Sequence, residues 1–115
     1  MKRVLIVEDD LIISLTTEKM VEKLGYQVVG SVTSGEEAVR AAQENQPDVI
    51  LMDIRLNGSM DGIEATQEIL NRMNNIRVIY VTGNTDQAYR ERAEKTGYEA
   101  YLIKPLRMED LKSII

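Results

Sequence analysis

The sequence predicts one α/β domain built on a doubly wound, five-stranded parallel sheet with helices on both faces. Two observations carry this. Strand-like and helix-like segments alternate five times along 115 residues, a length that suits one compact domain. The runs at 4–7, 49–52 and 78–81 are continuously apolar rather than alternating, which marks strands covered on both faces. Each crossover is long enough to hold a helix, so the strands should be parallel with right-handed connections.

Strands are expected near 2–8, 26–32, 48–53, 76–82 and 99–103, and helices near 11–24, 35–45, 62–73, 86–96 and 106–115. In the first helix Ile13, Thr17, Met20, Val21 and Leu24 share a face, and the pattern ends before Gly25. Ser34-Gly35-Glu36-Glu37 reads as a capping box opening the second helix, which carries Ala38, Ala41 and Ala42 inward and stops before Pro47. Asp61 caps the third, with Glu64 three residues on, and Ile63, Thr66, Ile69, Leu70 and Met73 can face the sheet. The fourth offers little beyond Ala88, Tyr89 and Ala93 to bury, so it should be held weakly. The last contains Leu111, Ile114 and Ile115; this apolar end in mid-helix suggests that the sequence could continue, and leaves open whether the domain over 1–115 stands alone or is a piece of a longer protein.

Composition removes several function classes. The net charge is −5, which argues against a domain that grips nucleic acid by itself. Arg90, Arg92 and Lys95 are interrupted by Glu91 and Glu94 and read as a solvated helix face. There is no Cys and no His, so thiolate chemistry, a Ser-His-Asp triad and His-ligated metals are excluded within the chain. Any metal must take oxygen ligands, which favours Mg²⁺, Mn²⁺ or Ca²⁺. The five aromatic residues are all Tyr, so the core is expected to be aliphatic. No apolar run is long enough for a signal-peptide core or a membrane span, and a soluble, cytoplasmic protein is the expectation.

Four polar signals end four apolar runs: Glu8-Asp9-Asp10, Asp53, Thr82-Gly83 and Lys104-Pro105. On a parallel sheet all four reach the carboxyl edge, where open α/β folds bind ligands. Each has an ordinary explanation alone. Asp9 and Asp10 could cap a helix, Asp53 and Thr82-Gly83 could form turns, and Lys104 could be a surface lysine. Together they suggest a metal-assisted phosphoryl site, because neighbouring carboxylates repel unless a cation joins them. The first strand–helix turn is acidic rather than glycine-rich, which speaks against direct nucleotide binding.

These residues resemble the receiver domains of two-component response regulators. The matching features are Val7-Glu8-Asp9-Asp10, Leu51-Met52-Asp53, Met60-Asp61-Gly62, Thr82-Gly83 and Lys104-Pro105, and the resemblance spans the whole chain. It implies a flavodoxin-like strand order of 2-1-3-4-5. It implies that Asp53 accepts a phosphoryl group from a histidine kinase or phosphotransfer protein. Mg²⁺, or Mn²⁺, would be held directly by Asp10 and Asp53, through water by Asp9, and by the backbone carbonyl of Arg55. Thr82 and Lys104 would contact the phosphoryl oxygens, and the peptide before Pro105 would be cis. Thr82 and Tyr101 would form the switch, Arg55 and Asn84 would tune phosphoryl lifetime, and the fourth helix, fifth strand and fifth helix would signal onward. Such a domain catalyses only its own phosphorylation and dephosphorylation. The output, whether a separate effector or a fused domain, stays open, as does homodimerisation.

The loop Ile54-Arg55-Leu56-Asn57-Gly58-Ser59-Met60-Asp61 departs from the family pattern. It lacks the usual proline and is one residue longer. Two rivals remain. A haloacid dehalogenase type phosphatase would need a second Asp two residues after the first, where Arg55 stands. A phosphorylation-independent binding module of the same fold would have lost some of the five key residue types, and all are present.

Overall fold

The computed structural model describes residues 2–83 and 87–115. The order of elements is β1 (Arg3–Val7), α1 (Leu11–Lys23), β2 (Gln27–Val32), α2 (Gly35–Asn45), β3 (Val49–Met52), α3 (Gly62–Arg72), β4 (Arg77–Thr82), α4 (Gln87–Glu94), β5 (Ala100–Ile103) and α5 (Met108–Ile114). The five strands form one sheet in the order β2-β1-β3-β4-β5, and every pair is parallel. The doubly wound sheet and its strand order are therefore as the sequence and the resemblance imply.

Strand side chains point alternately to opposite faces, and the apolar runs sort accordingly. Val4, Ile6, Val49, Leu51, Ile79 and Val81 pack with Val21 of α1 and Leu111 of α5. Leu5, Val7, Ile50, Met52, Val78 and Tyr80 pack on the other face with α2, α3 and Ala93 of α4. Both faces of the three central strands are thus buried, which is why those runs cannot alternate.

Helix starts follow local chemistry. Asp61 and Glu64 form a complete capping box on α3, at 2.9 and 3.0 Å. The box expected on α2 is half formed. Ser34 Oγ accepts from Glu37 N–H, but the Glu37 carboxylate takes hydroxyl donors from Thr33 and Ser34 rather than a backbone N–H. Gln46 ends α2 in the left-handed region, immediately before Pro47. Helix α1 buries Ser14, Thr17 and Val21, leaving Leu11, Ile12 and Leu15 on the outside. The fourth helix buries only Ala93, as its sequence suggests.

The expectation of an aliphatic core is corrected on one face. Tyr80 is fully buried, its ring 5.4 Å from Tyr98 and 6.0 Å from Tyr101, centroid to centroid. Its hydroxyl lies 3.0 Å from Thr96 Oγ1, which satisfies the polar end of a ring placed in the core.

Burial decides the expected mutational pattern. Ile50→Ala removes a fully buried side chain between the sheet and one helical layer. Urea denaturation should show a loss of about 2–5 kcal/mol. Leu15→Ala, at a side chain 58% exposed, should change stability by no more than about 0.5 kcal/mol.

Candidate functional site

The site is assembled by backbone bonds that continue one residue past the strands. Glu8 N–H donates to Val32 O of β2 at 2.9 Å, and Asp53 N–H donates to Val7 O of β1 at 3.0 Å. Lys104 N–H donates to Thr82 O of β4 at 2.9 Å. Glu8, Asp53 and Lys104 therefore sit in register on the carboxyl edge, and their side chains converge there. The resulting crevice has a volume of about 720 Å³ and is lined by Glu8, Asp9, Asp10, Asp53, Arg55, Thr82 and Lys104, among others.

Charge is concentrated where water is scarce. Glu8 and Asp53 are buried, at 5% and 6% exposure. The Lys104 ammonium lies between them, 2.5 Å from Glu8 Oε1 and 3.1 Å from Asp53 Oδ2. Burial by itself disfavours the charged lysine, but the hydrogen bond to Glu8 and the charge of Asp53 outweigh it and hold its pKa above the ordinary lysine value. Asp9 moves in the opposite sense to a stabilised carboxylate. Burial raises its pKa first, and the hydrogen bond to Glu8 and that residue's charge raise it further.

Glu8, Asp9 and Asp53 each offer a carboxylate oxygen within 4.8 Å of the others. Three carboxylates against one ammonium leave an excess of negative charge in a half-closed site. An oxygen-only donor set with that excess fits a hard divalent cation such as Mg²⁺.

The structure divides the acidic triplet differently from the sequence expectation. Asp10, expected as a direct metal ligand, is exposed and serves as the N-cap of α1. Its Oδ1 accepts from Ile12 N–H at 2.9 Å and Ile13 N–H at 3.1 Å. Its own N–H donates to Glu8 Oε2 at 3.0 Å. Asp9, expected to act through water, is in the carboxylate cluster instead. Glu8, to which the resemblance assigns no role, joins the site; its place immediately after the buried run of β1 is the signal for it in the sequence.

The other expected residues fall as follows. Thr82 is the buried last residue of β4 and lines the crevice. Arg55 is exposed at its rim. The Lys104–Pro105 peptide is cis. Tyr101 lies away from the crevice on the α4 side, with the Arg90 guanidinium 4.2 Å above its ring. Among the described residues its hydroxyl is buried without a hydrogen-bond partner. Asn84 lies outside the described residues. Arg92 of α4 reaches across to the Asp61 carboxylate at 2.9 Å and ties α4 to the start of α3.

Gly62 fixes the floor of the site. A Cβ there would run into the Asp53 carbonyl, while Gly62 N–H donates to Ile54 O at 2.8 Å. Gly62→Ala must push the Asp53 backbone aside, and urea denaturation should show a loss of about 1–3 kcal/mol or more. Gly97→Ala, whose added methyl would stand 3.6 Å from its nearest neighbour, should show no comparable steric loss.

Comparison with known proteins agrees with this geometry. The chain matches the response regulator receiver domain over residues 4–115. It is 36% identical over 110 residues to the transcriptional regulatory protein PdtaR of Mycobacterium tuberculosis, covering 96% of this chain and 53% of PdtaR. The chain thus spans about half the length of that relative. Among solved structures, the receiver domain of a modulated diguanylate cyclase from Desulfovibrio desulfuricans G20 superimposes with a TM-score of 0.91 at 37% identity, covering 98% of this chain and 89% of that one. The receiver domain of the sensor histidine kinase PA1611 from Pseudomonas aeruginosa PAO1, solved with a magnesium ion coordinated in its active-site cleft, gives 0.86 at 36% identity, covering 98% and 93%. Among the described residues no helix is long and apolar enough to cross a membrane. Fold, converging site residues and similarity over nearly the whole chain lead to one conclusion: this chain belongs to the response regulator receiver domain family.

Proposed function

We propose that the chain is a phosphorylation-activated signalling switch whose phosphoacceptor is Asp53. The observation that carries this is the buried Asp53 carboxylate, open to the crevice and held between Lys104 and the carboxylates of Glu8 and Asp9. The donor is a phosphohistidine on a kinase or phosphotransfer protein. An Asp53 oxygen attacks phosphorus, the P–N bond breaks as the P–O bond forms, and the imidazole leaves with the electron pair and takes a proton from water. Hydrolysis of the acyl phosphate returns the carboxylate and inorganic phosphate. Neither step needs a histidine on this chain.

Phosphoryl transfer depends mainly on positioning and charge stabilisation. Glu8, Asp9, Asp53 and the Arg55 carbonyl would hold Mg²⁺, which supplies positive charge to the phosphoryl oxygens when bound. Lys104 is already oriented by Glu8 and Asp53 and supplies the second positive group. Thr82 supplies a hydroxyl from the neighbouring strand end. Asp10 starts α1 and thereby fixes the direction in which Asp9 enters the site.

The signal would leave through α4, β5 and α5. A hydrogen bond to a charged group contributes about 1.5–3 kcal/mol, so new bonds from Thr82 and Lys104 to a phosphoryl group would provide about 3–6 kcal/mol. Lys104 already bonds two carboxylates, so its share is an exchange of partners and the net gain is smaller. A nearly complete population shift needs about 5.5 kcal/mol. Such a narrow margin suits a helix held as lightly as α4. The buried, unpartnered Tyr101 hydroxyl favours its role as the residue that changes rotamer. A fused output domain or a separate effector would read the change.

Two experiments test this reading. After treatment with a small phosphodonor and Mg²⁺, intact mass should show a single phosphoryl adduct that is lost in Asp53→Asn and with a chelator. An adduct that persists in Asp53→Asn would refute Asp53 as the acceptor. The second uses pH. Because the folded-state pKa of Asp9 is raised, its contribution to stability without metal is full below the unfolded value of about 3.9 and is lost as pH rises through the folded value. Above that range the ionised Asp9 would be available to hold Mg²⁺. At about pH 7, free Mg²⁺ at 100 times its Kd should add about 2.7 kcal/mol, seen as a higher Tm. The increase should shrink as pH falls to about 4 and protons compete for the same oxygens. An equal increase at both pH values would contradict the carboxylate cluster as the binding site.

A further inference from the structure

We infer that Glu36, in the first turn of α2, is a positioning residue for the cation site, acting through the 54–61 loop. The inference rests on the magnesium-dependent reading above and concerns how the Arg55 carbonyl is held. That loop is closed at its base by Gly62 N–H on Ile54 O and by the close seat of Gly62 on Asp53. Between those ends it carries no regular structure of its own. At its end Asp61 is tied to Glu64 and Arg92, and contacts from the α2 side hold the part between.

The first contact is apolar. Leu56 and Met60 pack against the core cluster that includes Ala38, Ala41 and Ala42 of α2. The second is a parallel β-bridge between Ser34, the N-cap of α2, and Asn57. The third is Glu36 itself. Its Oε1 accepts from Met60 N–H at 3.2 Å, across 24 residues of sequence. The same carboxylate lies against Gly58, where a Cβ would come within 2.8 Å of Oε2 and where φ is +92°. Glu36 thus touches the loop on the far side of Leu56 from Arg55, while the base bond at Ile54 pins the near side.

A backbone carbonyl is an effective ligand only if it is held in place before the ion arrives, since the ordering of a loop otherwise counts against binding. The family's usual proline is missing here, so the loop lacks that built-in restriction. The contacts from α2 take over the task. Groups behind a metal's direct ligands commonly change affinity by about 10- to 100-fold when removed. Glu36 acts through a flexible loop, and the lower end of that range is expected.

The test is Mg²⁺ titration by calorimetry of wild type, Glu36→Ala and Glu36→Gln, with Mn²⁺ paramagnetic resonance as a second measure. Glu36→Ala should weaken Mg²⁺ binding roughly 10-fold. Glu36→Gln retains an acceptor for Met60 N–H and should stay within about twofold of wild type. Amide hydrogen exchange at Met60 should accelerate in Glu36→Ala alone. Equal affinity in wild type and Glu36→Ala overturns the inference and leaves the magnesium reading standing. Equal weakening in both variants assigns the effect to the charge of Glu36 and also overturns the positioning role. No binding by wild type overturns the magnesium reading and this inference with it.

Discussion

Three backbone hydrogen bonds that extend the parallel ladders by one residue are the constraint on which the site depends. Asp53 on Val7, Glu8 on Val32 and Lys104 on Thr82 place each side chain at a fixed height on the carboxyl edge. Parallel strands put these chain positions on one edge regardless of their separation in sequence. The buried apolar layers on both faces keep the strands in register, so the chemistry inherits its precision from the core. A slip of one residue in β3 would turn Asp53 to the other face.

Electrostatics then sets what the crevice can do. Two buried carboxylates would be costly alone, and Lys104 makes them tolerable by bonding both. The third carboxylate, Asp9, has its pKa raised first by burial and then by its hydrogen bond to Glu8 and that residue's charge. This local conflict is the kind that folds keep at functional sites and offset elsewhere. Here the continuous apolar strands offset it. A cation or a transferred phosphoryl group, as proposed above, would change the balance among the same few side chains.

The surroundings differ in how firmly they are held. Helix α3 has a full capping box and a buried face of Ile63, Ala65, Thr66 and Ile69. Helix α4 has Ala93, the Arg92–Asp61 pair and Tyr89. The ion pair is largely exposed and adds little by itself. Beside α4 the rings of Tyr80, Tyr98 and Tyr101 pack on one another, two pairs edge-on and one tilted. Rigid support behind Asp53 and light support under α4 accord with the switch proposed above.

Much of this was legible in the sequence. The runs at 4–7, 49–52 and 78–81 determined a sheet covered on both faces, and the polar residues ending them located Asp53, Thr82 and Lys104. The burial of Tyr80 was not legible, because a tyrosine enters a core only where a partner such as Thr96 meets its hydroxyl. Nor was the bracing of the 54–61 loop by Glu36, a contact between segments 24 residues apart. The triplet Glu8-Asp9-Asp10 shows the boundary most clearly. Its composition announced an acidic site, but any of the three could cap a helix or face the crevice. Only the ladder, which ends with Glu8 on Val32, and the start of α1 at Leu11 decided that Glu8 and Asp9 turn inward while Asp10 caps the helix. A strand's end is set by the neighbour it pairs with, and that neighbour lies elsewhere in the chain.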